Sequence, residues 1–465
     1  MIGKSRKSRP MDENRSRGSL FSTQASFPRW KKWSLILLVV VVVGFGGMYA
    51  GIYVWPSIGG HGTQVLRGIF GNRFVAELEM FVFNLQDAVQ SWVYAAGLAE
   101  PSAPWEVPVG QTLFPEITPT PAEGETTLTP IVLMENQVSM VGESPVTSTL
   151  SISTPAVLTP EPEDDPRPTP TSTPETPTVE PLQWPPEALT PFGSLEGEGL
   201  WSPYIEDSDQ RTVAYRAFLQ PDTERPYTLI GVVAFDLTHT RLNYMLGFIE
   251  PRSPEGDGSK RSGKIPDEDR VPGKLLAAFN GGFQAQHGLF GAMSGGILAL
   301  PPVDGLGTVV IYKSGEVSIG VWGEEITDSP EIQALRQNGP LVVHNGELTP
   351  HVFSFSPKDW GYTLTDVSPT WRSGLAIDPS QQVLFYLAGP SLTVEALGNS
   401  MIASGAINGI QLDINTYWVH FTTFQVEDGN LAPVALFPDT MNEFVDRYLQ
   451  PYSHDYFYVT ALDEE

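Results

Sequence analysis

The stretch WRSGLAIDPSQQVLFYLAGPSLTVEALGNSMIASGAINGIQLD (Trp371–Asp413) sets the reading of the folded part of this chain. Gly374–Ile377 and Val383–Ala388 are short apolar runs separated by a polar turn, the pattern of two paired strands. Thr393 then stands where a helix N-cap would, and the helix Thr393–Ser404 ends near Gly405. A further strand is expected over Gly409–Phe424. Working outward, strands are expected at Thr228–Phe235, Leu242–Ile249, Lys274–Phe279, Gly307–Tyr312, Val317–Trp322 and Gly339–His344. Helices are expected at Pro330–Gln337 and Thr440–Leu449. The fold class is therefore α+β, a mixed β-sheet domain with flanking helices over residues 195–465.

The 465 residues carry 27 Lys and Arg against 54 Asp and Glu, a formal net charge of −27. Phosphate backbones need a cationic face, so nucleic acid is not an expected partner. No cysteine is present, which excludes a disulfide framework, a thiolate nucleophile and Cys-ligated zinc. His344, His351 and His420 show no metal-ligand spacing among themselves, so a zinc site is not expected, and no cofactor is expected.

Residues 1–32 are basic, with Lys4, Arg6, Lys7, Arg9, Arg15, Arg17, Arg29, Lys31 and Lys32 against Asp12 and Glu13. Polarity reverses across Trp33–Trp55, which holds no charged residue. As a helix it would span about 34 Å, enough for a bilayer core. Trp30, Trp33, Tyr53 and Trp55 sit at its ends, where amphipathic rings prefer headgroups. The expectation is a single-pass transmembrane helix, with residues 1–32 as a cytoplasmic tail and the acidic bulk outside the cell membrane. Two readings compete: a buried core helix, against which stands the length of the uninterrupted apolar run, and a cleavable signal peptide, against which stand the long basic region and the long apolar run.

Residues 63–98 read as an amphipathic helix, with Phe74, Leu78, Phe81, Leu85, Val89 and Trp92 at spacings of three or four. Its apolar stripe needs a partner: the later domain, the membrane surface or, preferred here, a second copy of the chain as a homo-oligomer. Residues 101–191 are dominated by Pro, Thr, Ser and Glu, the composition of a disordered spacer. Gly258–Lys264 imitates the start of a phosphate-binding loop but ends in Ile265 and Pro266, where no helix N-terminus can form.

Four stretches in order carry a family resemblance: AFNGGF (Ala278–Phe283), NGPLVVHNGEL (Asn338–Leu348), WRSGLAIDPSQQVLFYLAG (Trp371–Gly389) and LTVEALGNSMIASGAINGIQLD (Leu392–Asp413). Together they resemble the phosphodiester glycosidase domain, whose best-known member is the uncovering enzyme that removes N-acetylglucosamine from a sugar phosphodiester. The family's Pro-Arg-Thr is Trp371-Arg372-Ser373 here. Its Gly-rich turn after Leu-Asp is replaced by Ile414-Asn415-Thr416-Tyr417-Trp418.

The resemblance implies a glycan or glycosyl phosphodiester substrate in the cell envelope. Arg372 is the expected phosphate ligand, since a planar guanidinium can hold two oxygens. Asp413 is the expected proton-moving group if burial raises its pKa, and Asn280 the expected substrate-orienting residue. Gly281, Gly282, Gly295 and Gly296 are expected to shape the rim, with Asn415 and His287 as further substrate contacts. On an extended strand Asp413, Asn415 and Tyr417 would share a face, where the Asp-x-Asn pair could ligate a hard divalent cation through oxygen or equally be a hydrogen-bonded pair closing a turn. Three readings follow: a hydrolase, a binding module that recognises envelope glycan without cutting it, and an oligomeric envelope scaffold.

Overall fold

The computed structural model describes residues 72–106, 182–256, 259–354, 357–361, 369–414, 416–441 and 444–462. The basic tail, the apolar run Trp33–Trp55 and most of the Pro/Thr-rich spacer lie outside them. Among the described residues no helix is long and apolar enough to cross a membrane.

Three sheets are formed among the described residues. The first has the order β1 (Ser202–Glu206), β2 (Thr212–Leu219), β3 (Ile230–Asp236), β14 (Val383–Leu392), β13 (Thr370–Ile377), β15 (Asn408–Ile414), β11 (Val343–His344) and β12 (Glu347–Leu348). The second runs β7 (Ile297–Leu300), β6 (Ala292–Ser294), β10 (Ile332–Gln337), β8 (Gly307–Tyr312) and β9 (Val317–Val321). The third runs β17 (Asn430–Ala435), β16 (Phe421–Glu427), β5 (Leu275–Asn280), β18 (Tyr456–Ala461) and β4 (Thr240–Met245). The pairings at the centre of the first and third sheets are antiparallel.

Burial follows sequence. β3, β5 and β13 are buried along their whole lengths; β3 and β5 are apolar up to their last residue and β13 also buries the polar Thr370, Arg372 and Ser373, whereas the alternating β4 shows every second residue outward. One core serves all three sheets: Phe235, Leu375 and Tyr386 of the first meet Val309 and Ile319 of the second and Phe279, Phe421 and Phe457 of the third. Phe279 stands at its centre, stacked on Phe421 at 5.9 Å and within 4.7 Å of the Tyr386 ring and 5.7 Å of Phe457.

The first described helix, α1 (Asn72–Ala95), does not stand apart from the sheets. Asp87 accepts a hydrogen bond from Tyr227 Oη at 2.7 Å and lies 3.5 Å from Arg225, and the Tyr94 ring is 5.1 Å from that of Tyr227. After it, Trp105 packs against Phe218 and Phe437, with the Arg216 guanidinium held between Trp105 and Tyr204 at 4.6 and 4.5 Å. On the far side of the spacer, Trp184 Nε1 donates to Thr212 O at 2.8 Å and Leu189 is buried. Residues 101–106 and 183–191, expected within the spacer, fall in the same compact unit as the sheets.

The Asp378–Gln382 turn and the strands flanking it form as expected, and the helix that follows is α2 (Val394–Ala403). Thr393 caps it, its Oγ1 accepting from Ala396 N at 3.0 Å. The helix lies close on β13 and β15 because both strands offer glycine beneath Met401. A Cβ at Gly374 would stand 2.3 Å from Met401 Cε, and one at Gly409 would stand 2.5 Å from its sulfur.

Several expected elements differ. Pro330–Gln337, expected as a helix, carries β10 instead, a strand between β6 and β8 whose Arg336 and Gln337 are buried with hydrogen-bond partners. Gly409–Phe424 is not one strand. β15 ends at Ile414, residues 416–418 turn, and β16 starts in another sheet. The shared face expected of Asp413 and Tyr417 therefore does not arise, and Asn415 lies outside the described residues. The helix expected over Thr440–Leu449 is a single turn at Pro438–Met441 and a 3-10 turn at Arg447–Leu449.

Two substitutions separate core from cap. Phe279→Ala should cost about 3–5 kcal/mol and Thr393→Ala about 1 kcal/mol in urea unfolding of the purified protein. Equal losses would contradict the central place given to Phe279.

Candidate functional site

β5 carries the chain out of the aromatic core into Asn280-Gly281-Gly282-Phe283. Asn280 is buried, and its amide is fully engaged. Nδ2 donates to Ser373 Oγ at 2.9 Å and Gly281 O at 3.0 Å, while Oδ1 accepts from Tyr386 Oη at 3.0 Å and His420 N at 3.2 Å. Ser373 Oγ in turn donates to the carbonyl of Asp413 at 3.0 Å. Asn338 completes the lattice. Its Oδ1 accepts from Phe283 N at 3.1 Å, and its Nδ2 donates to the carbonyls of Gln411 and Leu412 at 2.8 and 2.9 Å. The AFNGGF, NGPL, WRSG and IQLD segments, spread from Ala278 to Asp413, are one hydrogen-bonded network around the end of β15.

Beside this network lies a buried ion pair. Arg336 Nε donates to Asp455 Oδ2 at 2.7 Å, with side-chain exposures of 1% and 2%. Asp455 Oδ2 also accepts from Tyr244 Oη at 3.0 Å and Gly282 N at 3.2 Å. The other nitrogens of Arg336 donate to the carbonyls of Gln337 and Phe283 at 2.7 and 2.6 Å. Burial alone would lower the guanidinium pKa, but Asp455, Tyr244 and Asp413 outweigh it and raise it. The glycine pair makes room for this arrangement. A Cβ on Gly281 would stand 2.1 Å from Asp455 Oδ2, and one on Gly282 would stand 3.0 Å from the guanidinium carbon.

Asp413 is 9% exposed and accepts from Ile414 N through Oδ1 at 2.8 Å. Around it are half-buried aromatic and titratable side chains. Trp418 stacks on His454 at 4.0 Å, and the Arg447 guanidinium lies 5.7 Å from the Tyr417 ring and 5.9 Å from that of Tyr452. Burial raises the Tyr452 pKa, with Asp413 and Asp455 adding to the rise against Arg447. Burial pushes His454 down to about 4, with Arg447 and Arg336 in the same direction and Asp455 opposing. The imidazole is therefore neutral at pH 7. Glu250 accepts from Ala285 N at 3.2 Å, and burial, then Asp455, raise its carboxyl pKa. Asp413, Glu250, His454 and Tyr452 all feel the charges of the Arg336–Asp455 pair or of one of its members.

The structure thus brings Asn280, Gly281, Gly282 and Asp413 together. Arg372 directly precedes the network's Ser373 in sequence but faces the other way: adjacent residues of a strand point to opposite faces, and Ser373 takes the face toward Asn280. The Arg372 side chain is 0% exposed and donates to Leu392 O at 2.9 Å, Trp360 O at 3.2 Å and Gln411 Oε1 at 2.6 Å. Burial lowers its pKa to about 9. No face of this guanidinium is open to solvent, which differs from the expected phosphate contact. Gly295 and Gly296 form the exposed turn between β6 and β7, both at positive φ, with open space where a Cβ would stand. His287 ends the 3-10 turn Ala285–His287, half-buried.

Arg336, Asp455, Glu250 and His454 were not anticipated. Arg336 sits in the segment that reads as a helix, and Asp455 is 119 positions from it. The one sequence signal was His454-Asp455 set directly before an aromatic strand. Among the described residues, no group of three or more His, Asp or Glu side chains converges as a metal site would require. A cleft of about 170 Å³ lined by Thr238, Arg241, Glu316 and Gln382 lies at the opposite end of the β13–β14 hairpin from Arg372 and carries none of this chemistry.

Neither a protein-family model nor a curated protein sequence matches the chain. Among solved structures it is similar to the catalytic domain of zebrafish N-acetylglucosamine-1-phosphodiester alpha-N-acetylglucosaminidase, auto-inhibited by its pro-peptide. The match has 13% identity over 57% of this chain and 88% of that one, with a TM-score of 0.36. A hypothetical protein from Synechocystis matches at 10% identity over 56% of this chain and 64% of that one, with a TM-score of 0.31. These are distant structural likenesses, and no activity passes from them to this chain.

Two outcomes are expected here. Gly281→Ala, whose Cβ would meet Asp455, should cost several times as much stability in urea as Gly296→Ala, which meets open space at positive φ and should lose about 1 kcal/mol. A histidine held neutral gives stability that is complete above the unfolded pKa, near 6.5, and is lost as pH falls toward the folded value of about 4. His420, held well below its ordinary value by burial, acts in the same direction. Stability measured from pH 7.5 to 4.5 should fall, and His454→Gln should make that fall shallower. An unchanged slope would contradict the burial of the imidazole.

Proposed function

We propose that the domain binds, and hydrolyses, a sugar joined through an anionic phosphodiester linkage, at the junction where β5 and β15 end beside the segment before β18. One observation carries this reading: the four stretches that resemble the phosphodiester glycosidase domain interlock through Asn280, Ser373, Asn338 and the end of β15. Residues that only maintained a sheet would have no reason to place a carboxylate, a neutral imidazole and an aromatic pair at that junction.

In the proposed reaction the bond between the anomeric carbon and the phosphate oxygen breaks. Water supplies the hydroxyl to the sugar, and the phosphate leaves as a monoester. Asp413 takes the proton from water. Phosphate is a good leaving group, with a second pKa near 6, so little acid assistance is demanded of the site; Glu250, raised by burial, is the group suited to supply it. Arg447 is the half-buried cation of the cluster and is assigned to the anionic linkage. Asn280 and Arg372 are positioning residues, holding the Asp413 backbone and the β13–β15 edge from opposite faces. The apolar run Trp33–Trp55 is proposed to anchor this unit in a membrane, with the domain outside and envelope glycan as its target.

A second reading, recognition without cleavage, is favoured by one feature. The turn after Asp413 holds Tyr417 and Trp418 where the resembled family has glycines whose amides could close on phosphate.

A chromogenic sugar phosphodiester separates the two. Hydrolysis by the purified protein is expected to drop about 10²-fold or more in Asp413→Asn, with the fold retained by circular dichroism. Binding of the glycan with no turnover in the wild type would favour recognition, and neither binding nor turnover would overturn both.

A further inference from the structure

We infer that the outward face of α1 is a self-association seam, and that its partner is a second copy of this chain. The helix has two faces with different chemistry. Asp87, Gln90 and Tyr94 hold it to the domain, through Tyr227, Arg225 and Ser391. The other face is turned to solvent although it is apolar: Leu85 is 45% exposed, Val89 48% and Trp92 64%, with Ala88 and Ala95 exposed between and beyond them. A helix that docks by its polar side and leaves its apolar side bare has not yet met the partner of that side.

Spacing and charge select the partner. In the sequence Phe74, Leu78, Phe81, Leu85, Ala88 and Trp92 alternate at four and three residues, the period of a coiled-coil seam rather than of a face laid on a globular surface. Val75, Val82 and Val89 border that register on one side, and none of these nine positions is charged. Two copies of a chain with net charge −27 can therefore meet here without opposing like charges. The positions that bind the domain lie opposite the seam, so pairing does not require the helix to leave it.

An anionic bilayer fits worse. Interfacial helices carry Lys and Arg on the polar side, whereas the α1 sequence holds Arg73 against Glu77, Glu79 and Asp87, and the Asp87 side is occupied by the domain. The 24 residues extend about 36 Å. An aromatic side chain buries about 150–250 Å² when covered. Trp92, 64% exposed, is the largest side chain of the seam among the described residues and would bury most of that area against a partner.

The absence of cysteine makes the test clean. In the full chain reconstituted in lipid, Ala88→Cys should form a covalent dimer under mild oxidation, while Gln86→Cys, off the seam, should not. The double variant Leu85→Glu with Trp92→Glu should weaken association at least tenfold in sedimentation, with the domain's circular dichroism unchanged. A wild type that stays monomeric, or a dimer indifferent to the double variant, would overturn the inference. So would quenching by brominated lipid of a fluorophore attached to the Ala88→Cys variant, which would assign the face to the membrane instead.

Discussion

The buried Arg336–Asp455 pair is the constraint to which the rest of the site is fitted. A charge taken out of water is tolerated only when it is paired and hydrogen-bonded, and both partners meet that condition through Gly282, Tyr244, Phe283 and Gln337. Meeting it dictates sequence. Gly281 and Gly282 must lack side chains so that the loop can close on the pair. That loop then delivers Asn280 to Ser373 and Phe283 to Asn338, fixing the end of β15 and Asp413 with it. Burial, then Asp455, raises the Glu250 pKa, and Asp455 with Tyr244 and Asp413 raises that of Arg336 against its burial.

Local pattern revealed some of this and hid the rest. The β8 strand and the Thr393-capped helix were legible because their signals are local: an unbroken apolar run between turns, and a hydroxyl at an N-cap. β10 was not, because Arg336 and Gln337 look like the polar side of a helix until partners from other sheets bury them. The run from Gly409 to Phe424 reads as one strand because nothing in its composition marks the passage between sheets. Of the site, Asn280 and Asp413 were legible as parts of a resemblance. The ion pair was not, since neither Arg336 nor Asp455 carries a local sign of the other.

Arg372 shows how a resemblance can preserve a residue type while the fold determines its task. In sequence it sits one position from Ser373, at the heart of the network. In the structure that one position is a change of face, and the guanidinium is used to tie Leu392, Trp360 and Gln411 together beneath the strand. The α1 helix gives the complementary case. Its apolar stripe was legible, but the polar face that secures it to Tyr227 depends on a residue 140 positions away.

The most direct test of the account is a double-mutant cycle on the ion pair, with stability read by urea unfolding for Arg336→Met, Asp455→Leu and the two combined. Each single change leaves a buried charge uncompensated and should cost about 3–5 kcal/mol, whereas the double change should recover a large part of that loss. Additive losses in the double variant would mean that the two side chains are not coupled, and the organisation of the site around them would fall.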